Sequence, residues 1–215
     1  MSDAPELPFS QSKRRIEPVQ QRSARRVTHL LDAAAAIIDE NGIDGLTTSD
    51  VATRADSSVG VVYRYFPNIQ SLLRALAARN LERFTGAIYD SIGSDSVQWR
   101  DALDIAIDTF IAFNREEPGF RALRFGDVID RRFLEPEFSN NGVLARAFVG
   151  LLAEKYDFVP DDQIVFDLEV VVEIADALLQ RAFLYDKQGD ARFIDRAREV
   201  SGDYLRNRSA LPGEQ

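Results

Sequence analysis

The stretch SSVGVVYRYFPN combines side chains that can recognise both polar and apolar groups of a nucleic acid. Arg64 can donate hydrogen bonds to a guanine edge or to a phosphate, while Val61 and Val59 can contact thymine methyl groups. Tyr63 and Tyr65 offer hydroxyl groups to a sugar-phosphate backbone. These residue types, close together on one short segment, indicate contact with DNA.

A glycine in the same stretch, Gly60, is not explained by stability. A glycine inside an exposed helix costs about 1 kcal/mol relative to alanine. On a helix, Val62 and Phe66 fall on one side and can anchor the segment to a core, which leaves Gly60 and Arg64 on the other side. A missing side chain there lets the second helix of a helix–turn–helix lie deep in a major groove.

The same stretch also fits a second interpretation, a three-helix packing unit without a role in DNA binding. Val59 and Val61 would then cover a neighbouring helix, and the tyrosines would lie at its rim. Single exposed apolar residues are common on protein surfaces, so the pattern by itself does not exclude this alternative. The basic residues between positions 13 and 26, which come before this stretch, favour the interpretation as a DNA-binding unit.

Helix-capping signals surround the stretch on both sides. Thr47, with Asp50 three residues later, is predicted to cap a short second helix, and Ser58 is predicted to cap a third helix over 59–66. Asn68 can cap a fourth helix, which is long and amphipathic. Thr47, Thr48 and Ser58 therefore place hydroxyl groups at the starts of predicted helices, where phosphates bind readily.

A first helix precedes these elements. Its sequence, RRVTHLLDAAAAIIDEN, repeats apolar residues at the spacing of one helical face and stops at Gly42. The sequence therefore predicts a three-helix helix–turn–helix domain over 23–67. A connecting helix over 68–92 leads into a larger part that ends at residue 215.

The net charge of −9 disfavours a polyanionic partner, but the charge is divided unevenly along the 215 residues. Residues 1–85 hold 11 Lys and Arg against 10 Asp and Glu, whereas the rest of the chain holds 15 against 25. Between positions 13 and 26, six basic residues oppose only Glu17. Local charge is what a nearby phosphate experiences, because salt screens charges beyond about 8 Å.

Residues 1–22 contain three prolines and little periodic apolar content, so we expect them to form a flexible basic arm. Such an arm, placed just before a helix–turn–helix, can lie along a DNA groove. The arginines expected to contact DNA are Arg14, Arg15 and Arg25. Deleting the arm should weaken binding and flatten its dependence on salt.

The remainder of the chain shows no long strand-like alternation, and the predicted class is all-α. Helices are predicted at 97–115, 118–127, 142–157, 161–187 and 190–207. Aromatic residues are crowded in this part, and they can line a cavity for a small apolar or amphipathic effector or simply form the core. The candidates are Trp99, Phe110, Phe113, Phe120, Phe125, Phe133 and Phe138, with Arg121, Arg124, Glu169, Glu173 and Asp176 as polar neighbours.

The segment DDQIVFDLEVVVEIADALLQRAFLYDKQG is apolar around most of its helical circumference. Such a helix is either buried between its own subunit and a partner subunit or is the central core helix of a monomer. Pairing of two subunits would also place two recognition helices in successive major grooves, roughly 34 Å apart. The candidate homodimer contacts are Val171, Ala175, Leu178, Ala182, Ala197, Val200 and Tyr204.

Residues 24 to about 84 resemble the DNA-binding region of the TetR family of bacterial transcriptional regulators, through LLDAAAAIIDENGIDGLTTSDVATRADSSVGVVYRYFPNIQSLL. The resemblance implies a dimer of all-helical subunits, with an N-terminal three-helix DNA-binding domain and a larger C-terminal domain for ligand binding and dimerisation. It also implies a repressor of a palindromic operator that a small molecule releases. Positions that often contact DNA in the family are occupied here by Thr48, Ser58, Gly60, Val61, Tyr63 and Tyr65.

Two positions depart from the family pattern. Asp56 stands where many members have glycine in the interhelical turn, and aspartate adopts a left-handed backbone at modest cost. Ile69 stands where many members have a lysine that reaches a phosphate. We expect the arginines of the arm to compensate for that missing contact.

Other functional classes have less support. An enzyme is an alternative, but the chain has no cysteine, no metal-binding spacing and no nucleophile motif, and its one imidazole, His29, falls on the polar side of the first helix. We expect no catalytic residue, no metal and no cofactor. A regulator that responds to a protein partner instead of a small molecule is the other alternative. The lack of cysteine, of a signal-like start and of a long apolar run leads us to expect a cytoplasmic protein without a membrane span.

Overall fold

The computed structural model describes residues 19–92, 99–121, 140–157 and 159–208. Within these ranges the chain folds into α-helices joined by short turns, which confirms the predicted all-α class. The helices are α1 Val19–Asn41, α2 Thr48–Arg54, α3 Val59–Tyr65, α4 Ile69–Ser91, α5 Trp99–Glu116, α6 Asn140–Tyr156, α7 Asp162–Phe183 and α8 Ala191–Arg208.

The predicted caps of the N-terminal helices are confirmed. The Thr47 hydroxyl accepts a hydrogen bond from the backbone N–H of Asp50 at 3.1 Å, and α2 begins directly after it. The Ser58 hydroxyl accepts from the Val61 N–H at 3.3 Å at the start of α3. Asn68 forms a reciprocal capping box at the start of α4. Each cap satisfies an N–H group that the helix itself leaves without a partner.

The apolar side chains form two separate clusters. One joins α1, α2, α3 and the first half of α4, and it includes Leu30, Val62 and Leu72. The other joins the second half of α4 to the remaining helices. Asn80 is buried in α4 between the last member of the first cluster and Phe84, the first member of the second. The long helix α4 therefore belongs to both units.

Two ion pairs and one close backbone contact join the units beside α4. Arg79 of α4 pairs with Asp32 of α1 at 2.6 Å, and Arg83 pairs with Glu117 after α5 at 2.8 Å. Gly119, in the turn after α5, has a φ of 73° and lies directly against α1. The turn after α5 thus contacts both α1 and α4.

Replacing Gly119 with alanine is expected to lower the melting temperature by roughly 2–8 °C. The left-handed backbone costs a residue with a side chain about 1–2 kcal/mol, and one kcal/mol shifts the melting temperature of a chain this long by about 2–4 °C. A Cβ at this position would also lie 3.1 Å from the Cα and carbonyl oxygen of Ala35. The measurement is thermal unfolding followed by circular dichroism.

Gly86→Ala is the matched control, because a Cβ at Gly86 on α4 meets no atom within 4 Å. This change should leave the melting temperature unchanged or raise it, since alanine is the better helix former. Equal melting temperatures for the two variants would show that the contact between Gly119 and α1 is unimportant for stability.

Three predicted boundaries differ from the structure. α1 begins at Val19, several residues before the predicted start, because Gln21 to Ala24 are good helix formers that extend a helix already packed further along. α7 ends at Phe183 instead of 187, since the following loop folds back and the N–H of Asp190 bonds to the carbonyl of Ala182 at 3.0 Å. Residues 118–121, predicted as the start of a helix, form a turn, and 122–127 lie outside the described residues.

Candidate nucleic-acid interface and apolar cavity

The α3 helix has a buried side and an exposed side. Val62 and Phe66 are 0% and 5% exposed, so they anchor the helix as predicted. Tyr63 is 51% exposed, and Gly60 and Arg64 are also exposed. The exposed side of α3 therefore presents polar side chains, together with bare backbone at Gly60, to an external partner.

Packing within the protein does not require a glycine at position 60. A Cβ built there would meet only the Ser58 hydroxyl, at 3.9 Å. The backbone of Gly60 does not have a positive φ either, unlike that of Asp56, whose φ of 45° confirms the predicted left-handed turn between α2 and α3. Neither the packing nor the backbone conformation of the subunit therefore requires a glycine at this position.

The two tyrosines of α3 are oriented by hydroxyl contacts with neighbouring helices. Thr48, the first residue of α2, donates to the Tyr63 hydroxyl at 3.4 Å. Ser23 of α1 donates to the Tyr65 hydroxyl at 3.3 Å. Both tyrosine oxygens thus sit where α3 meets another helix, and each retains a proton that it can donate.

The remaining predicted residues of this surface are also accessible. Thr47 and Ser58 are exposed at the two helix starts. Val59 is 37% exposed, while Val61 is half-buried and has less surface to offer. The structure therefore brings the candidate residues of α2 and α3 together on one side of the N-terminal unit.

Basic residues at the start of α1 line an open groove. Its walls contain Arg22, Arg25, Arg26, Thr28 and His29, and all of these side chains are exposed. All three arginines belong to the basic run in the sequence; Arg25 and Arg26 begin the predicted first helix, whereas the helical position of Arg22 follows from the early start of α1. The predicted contacts Arg14 and Arg15 lie outside the described residues.

An ion pair fixes α2 against the end of α1. Arg54 donates two hydrogen bonds to Glu40, at 2.8 Å and 2.6 Å. The hydrogen bond from Arg54 holds the pKa of Glu40 below its usual value. Both groups are exposed, so the pair contributes to the orientation of α2 more than to stability.

The C-terminal unit contains an apolar cavity between α4, α5, α6 and α7. The cavity has a volume of about 70 Å³, and the wider space between its lining side chains, about 600 Å³, includes open solvent. Of the described residues that line it, Asp176 alone carries a charge, and this carboxylate accepts a hydrogen bond from Gln180 at 3.3 Å. The cavity is thus suited to an apolar molecule.

The predicted aromatic residues are distributed around this cavity in different ways. Phe110 lines it, whereas Phe113 and Phe120 pack edge-to-face behind it and support Phe84. Trp99 is the first residue of α5, and the positions of Phe125, Phe133 and Phe138 lie outside the described residues. Sequence reasoning missed Phe84 and Phe148, which line the cavity, because their helices contain many other apolar residues.

The predicted dimer contacts fall into two groups. Val171, Ala182 and Ala197 are 2%, 2% and 0% exposed in the single chain, so almost no surface remains on them for a partner. This corrects the sequence-based choice, which did not separate the two sides of α7. The half-buried members are Ala175, Leu178, Val200 and Tyr204.

A different row of α7 faces outward and is also apolar. Phe166 is 57% exposed, and partly or fully exposed residues follow at every third or fourth position, namely Val170, Ile174 and Ala177. We call these four residues the outer row of α7. The opposite side of the same helix belongs to the core, through Leu168 and Leu179. The helix is therefore apolar on both sides, as its sequence predicts.

Metal-binding clusters and membrane-spanning helices are absent from the described part of the chain. No group of three or more His, Cys, Asp and Glu residues there is placed to hold a metal ion. None of the helices in those ranges combines the length and hydropathy that a membrane span requires.

Comparison with known proteins relates both units to one family. Residues 30–76 match the family model described as bacterial regulatory proteins, tetR family. Residues 97–209 match the model described as tetracyclin repressor-like, C-terminal domain. A crystal structure of a TetR-family transcriptional regulator from Streptomyces coelicolor aligns with a TM-score of 0.73 at 38% identity, covering 86% of this chain and 98% of that one.

Curated relatives match over shorter lengths. An uncharacterized HTH-type transcriptional regulator of Bacillus subtilis, YvdT, is 30% identical over 98 residues, which are 45% of this chain and 50% of that protein. The HTH-type transcriptional repressor KstR of Mycolicibacterium smegmatis is 41% identical over 63 residues, 29% of this chain and 30% of that protein. The chain thus spans half or less of the length of these curated relatives.

Proposed function

The chain belongs to the TetR family of bacterial regulatory proteins, and on this basis we propose that it is a dimeric transcriptional repressor whose binding to a palindromic operator is released by a small apolar effector. The observation that carries the proposal is the arrangement of α3. Val62 and Phe66 hold this helix to the N-terminal core, while Gly60, Tyr63 and Arg64 face outward.

DNA recognition follows from the chemistry of that surface. Gly60 lets the α3 backbone approach the floor of a major groove, where Arg64 can donate to a guanine edge and Val59 can contact a thymine methyl group. Tyr63 and Tyr65 can donate to phosphates and set the register of the helix on the duplex, with Thr48 orienting the Tyr63 hydroxyl. Thr47 and Ser58, at the N-termini of α2 and α3, favour phosphates in the same way.

Many family members have a lysine just after the recognition helix that contacts a phosphate, and this chain has Ile69 there. Arginines of α1 supply positive charge in place of that lysine. Arg22, Arg25 and Arg26 are exposed on the helix immediately before the helix–turn–helix. Phosphate contacts from these residues would contribute affinity that depends on salt but not on sequence.

The effector is proposed to be an uncharged apolar molecule. The cavity lining is apolar apart from Asp176, and a carboxylate on the ligand would be buried without a described cationic partner. A ligand that binds one arrangement of the subunits better than another shifts the population toward it, and DNA is released when the recognition helices are wrongly spaced.

Selection of fragments from the source organism's genomic DNA, followed by footprinting, tests the DNA-binding part of the proposal. We expect two protected half-sites whose centres are roughly 34 Å apart. A single unpaired half-site would contradict the dimer, and the absence of any retained fragment would contradict specific DNA binding. Thermal-shift measurements with uncharged apolar compounds and their carboxylate analogues test the effector class.

Replacing Arg22 and Arg25 together with glutamine is expected to weaken operator binding and to reduce its dependence on salt. Each lost phosphate contact lowers the slope of log affinity against log salt by roughly 0.9, so the double variant should lose about 1.8. Fluorescence anisotropy across a range of potassium chloride concentrations measures this slope.

The control is Arg206→Gln on α8, which removes a positive charge from the other end of the chain, where Arg206 pairs with Asp203 at 2.7 Å. Its salt slope should match that of the unaltered protein. An unchanged slope for the double variant would rule out phosphate contacts by these two arginines.

A further inference from the structure

A second, smaller space lies beside the apolar cavity, between α4 and α6. Its volume is about 10 Å³, roughly enough for one water molecule. Ile88, Leu144 and Phe148 line both the cavity and the smaller space. These three side chains therefore separate the cavity from the smaller space.

An open groove lies on the outer side of the smaller space. It holds about 620 Å³, including open solvent, and it also runs between α4 and α6. Thr85, Ala147 and Leu151 line both the groove and the smaller space. Cavity, smaller space and groove thus follow one another in a line between α4 and α6, and the shared side chains separate them.

The outer rim of the groove has a small residue and an acidic residue on each wall. Gly86 and Ala147 contribute little bulk, and a Cβ at Gly86 would meet nothing within 4 Å. Glu82 and Glu154 also line the groove, and Glu154 accepts a hydrogen bond from Tyr89 at 3.1 Å. The rim thus carries two carboxylates, and the Lys155 ammonium lies 4.3 Å from the centre of the Tyr89 ring beside them.

We propose that the effector reaches its cavity through this line between α4 and α6, passing Gly86 and Ala147 at the groove and then moving aside Leu144 and Phe148. This inference rests on the proposed function, because it assigns a route to the effector cavity. Leu144 is half-buried and packs against the core cluster, whereas Phe148 is a buried member of it, and a rotamer change of these side chains opens the wall without unfolding a helix.

Blocking an entry route slows both the association and the dissociation of a ligand but leaves its dissociation constant unchanged. The test therefore compares these rates with the dissociation constant. The probe is N-phenyl-1-naphthylamine, an uncharged apolar dye whose fluorescence rises in apolar surroundings. Its association and dissociation are followed by stopped-flow fluorescence under direct excitation of the dye. Gly86→Trp, which places an indole over the groove, is expected to slow both rates at least about fivefold with the dissociation constant within about twofold.

Gly150→Trp is the matched control. Gly150 lies exposed on α6, a Cβ there also meets nothing within 4 Å, and the residue does not line the groove. Its rates should equal those of the unaltered protein. Ala147→Trp blocks the groove from the opposite wall, so it should reproduce the effect of Gly86→Trp.

The possible results distinguish a failure of the proposed route from a failure of the proposed effector cavity. Ala106→Phe fills the cavity itself and should abolish dye uptake. No uptake by the unaltered protein, or uptake that Ala106→Phe leaves unchanged, would overturn the effector cavity and this inference with it. Uptake whose rates are unchanged in both Gly86→Trp and Ala147→Trp would overturn the route alone.

Discussion

Replacing Gly60 with leucine is expected to lower specific operator affinity by about 100-fold while the protein becomes no less stable. A side chain on the exposed face of α3 would hold the backbone away from the floor of the major groove and weaken the contacts of Arg64 and Val59. A bidentate contact of an arginine with guanine is worth about 1–3 kcal/mol of discrimination. Stability should hold or rise, because a Cβ there meets only the Ser58 hydroxyl at 3.9 Å, and leucine is the better helix former.

The measurement pairs fluorescence anisotropy on the selected operator with thermal unfolding. Gly86→Leu is the control, since it makes the same change at another exposed helical glycine with open space around it. Tyr63→Ala should weaken binding through the loss of a phosphate contact, by a smaller amount than Gly60→Leu. If both α3 variants are folded and retain the operator as well as the unaltered protein does, α3 is not the recognition helix.

Replacing Ile174 with glutamate is expected to separate the subunits and to reduce operator affinity about a thousandfold. Ile174 belongs to the outer row of α7, the apolar surface that we propose to be covered by a second copy of this chain. A carboxylate placed there would be buried without a partner in the dimer but would remain solvated in the monomer. A lone subunit binds one half-site and loses the effective concentration that the second half-site provides, a factor of 10²–10⁴ in comparable systems.

Sedimentation velocity and operator titration together measure this effect. Val159→Glu is the control, because Val159 is 92% exposed just before α7 and lies outside the outer row. This variant should remain dimeric and bind DNA normally. A dimer that persists in Ile174→Glu would place the subunit contact elsewhere, whereas a monomeric variant with full affinity would contradict the need for two half-sites.

The local structure of the N-terminal unit could be predicted from sequence because its signals are short-range. Thr47, Ser58 and Asn68 cap helices through residues three positions later, and Asp56 adopts the left-handed turn that its place between two helices requires. Val62 and Phe66 were identifiable as the anchors of α3 because helical periodicity places them on one side. The outward position of Gly60 follows from the same geometry.

The C-terminal unit was less predictable because its patterns do not distinguish one apolar surface from another. Val171 and Ile174 lie on one helix and are both apolar, yet Val171 is in the core and Ile174 is in the outer row. Likewise, Phe110 lines the cavity, whereas Phe113 packs behind it. Which side of an apolar helix faces inward depends on the helices that pack against it, and the sequence of that helix does not contain this information.

The sequence by itself therefore determined the order of the helices, their caps and the exposed side of α3, since each depends on residues within one or two turns. Only the tertiary structure decided where the cavity lies, how a line of spaces leads from it to the groove between α4 and α6, and how Gly119 joins the turn after α5 to α1. These features are formed by residues far apart in the chain, such as Gly86 with Ala147 and Ala35 with Gly119. They depend on how whole helices fit together, and close packing fixes that fit collectively.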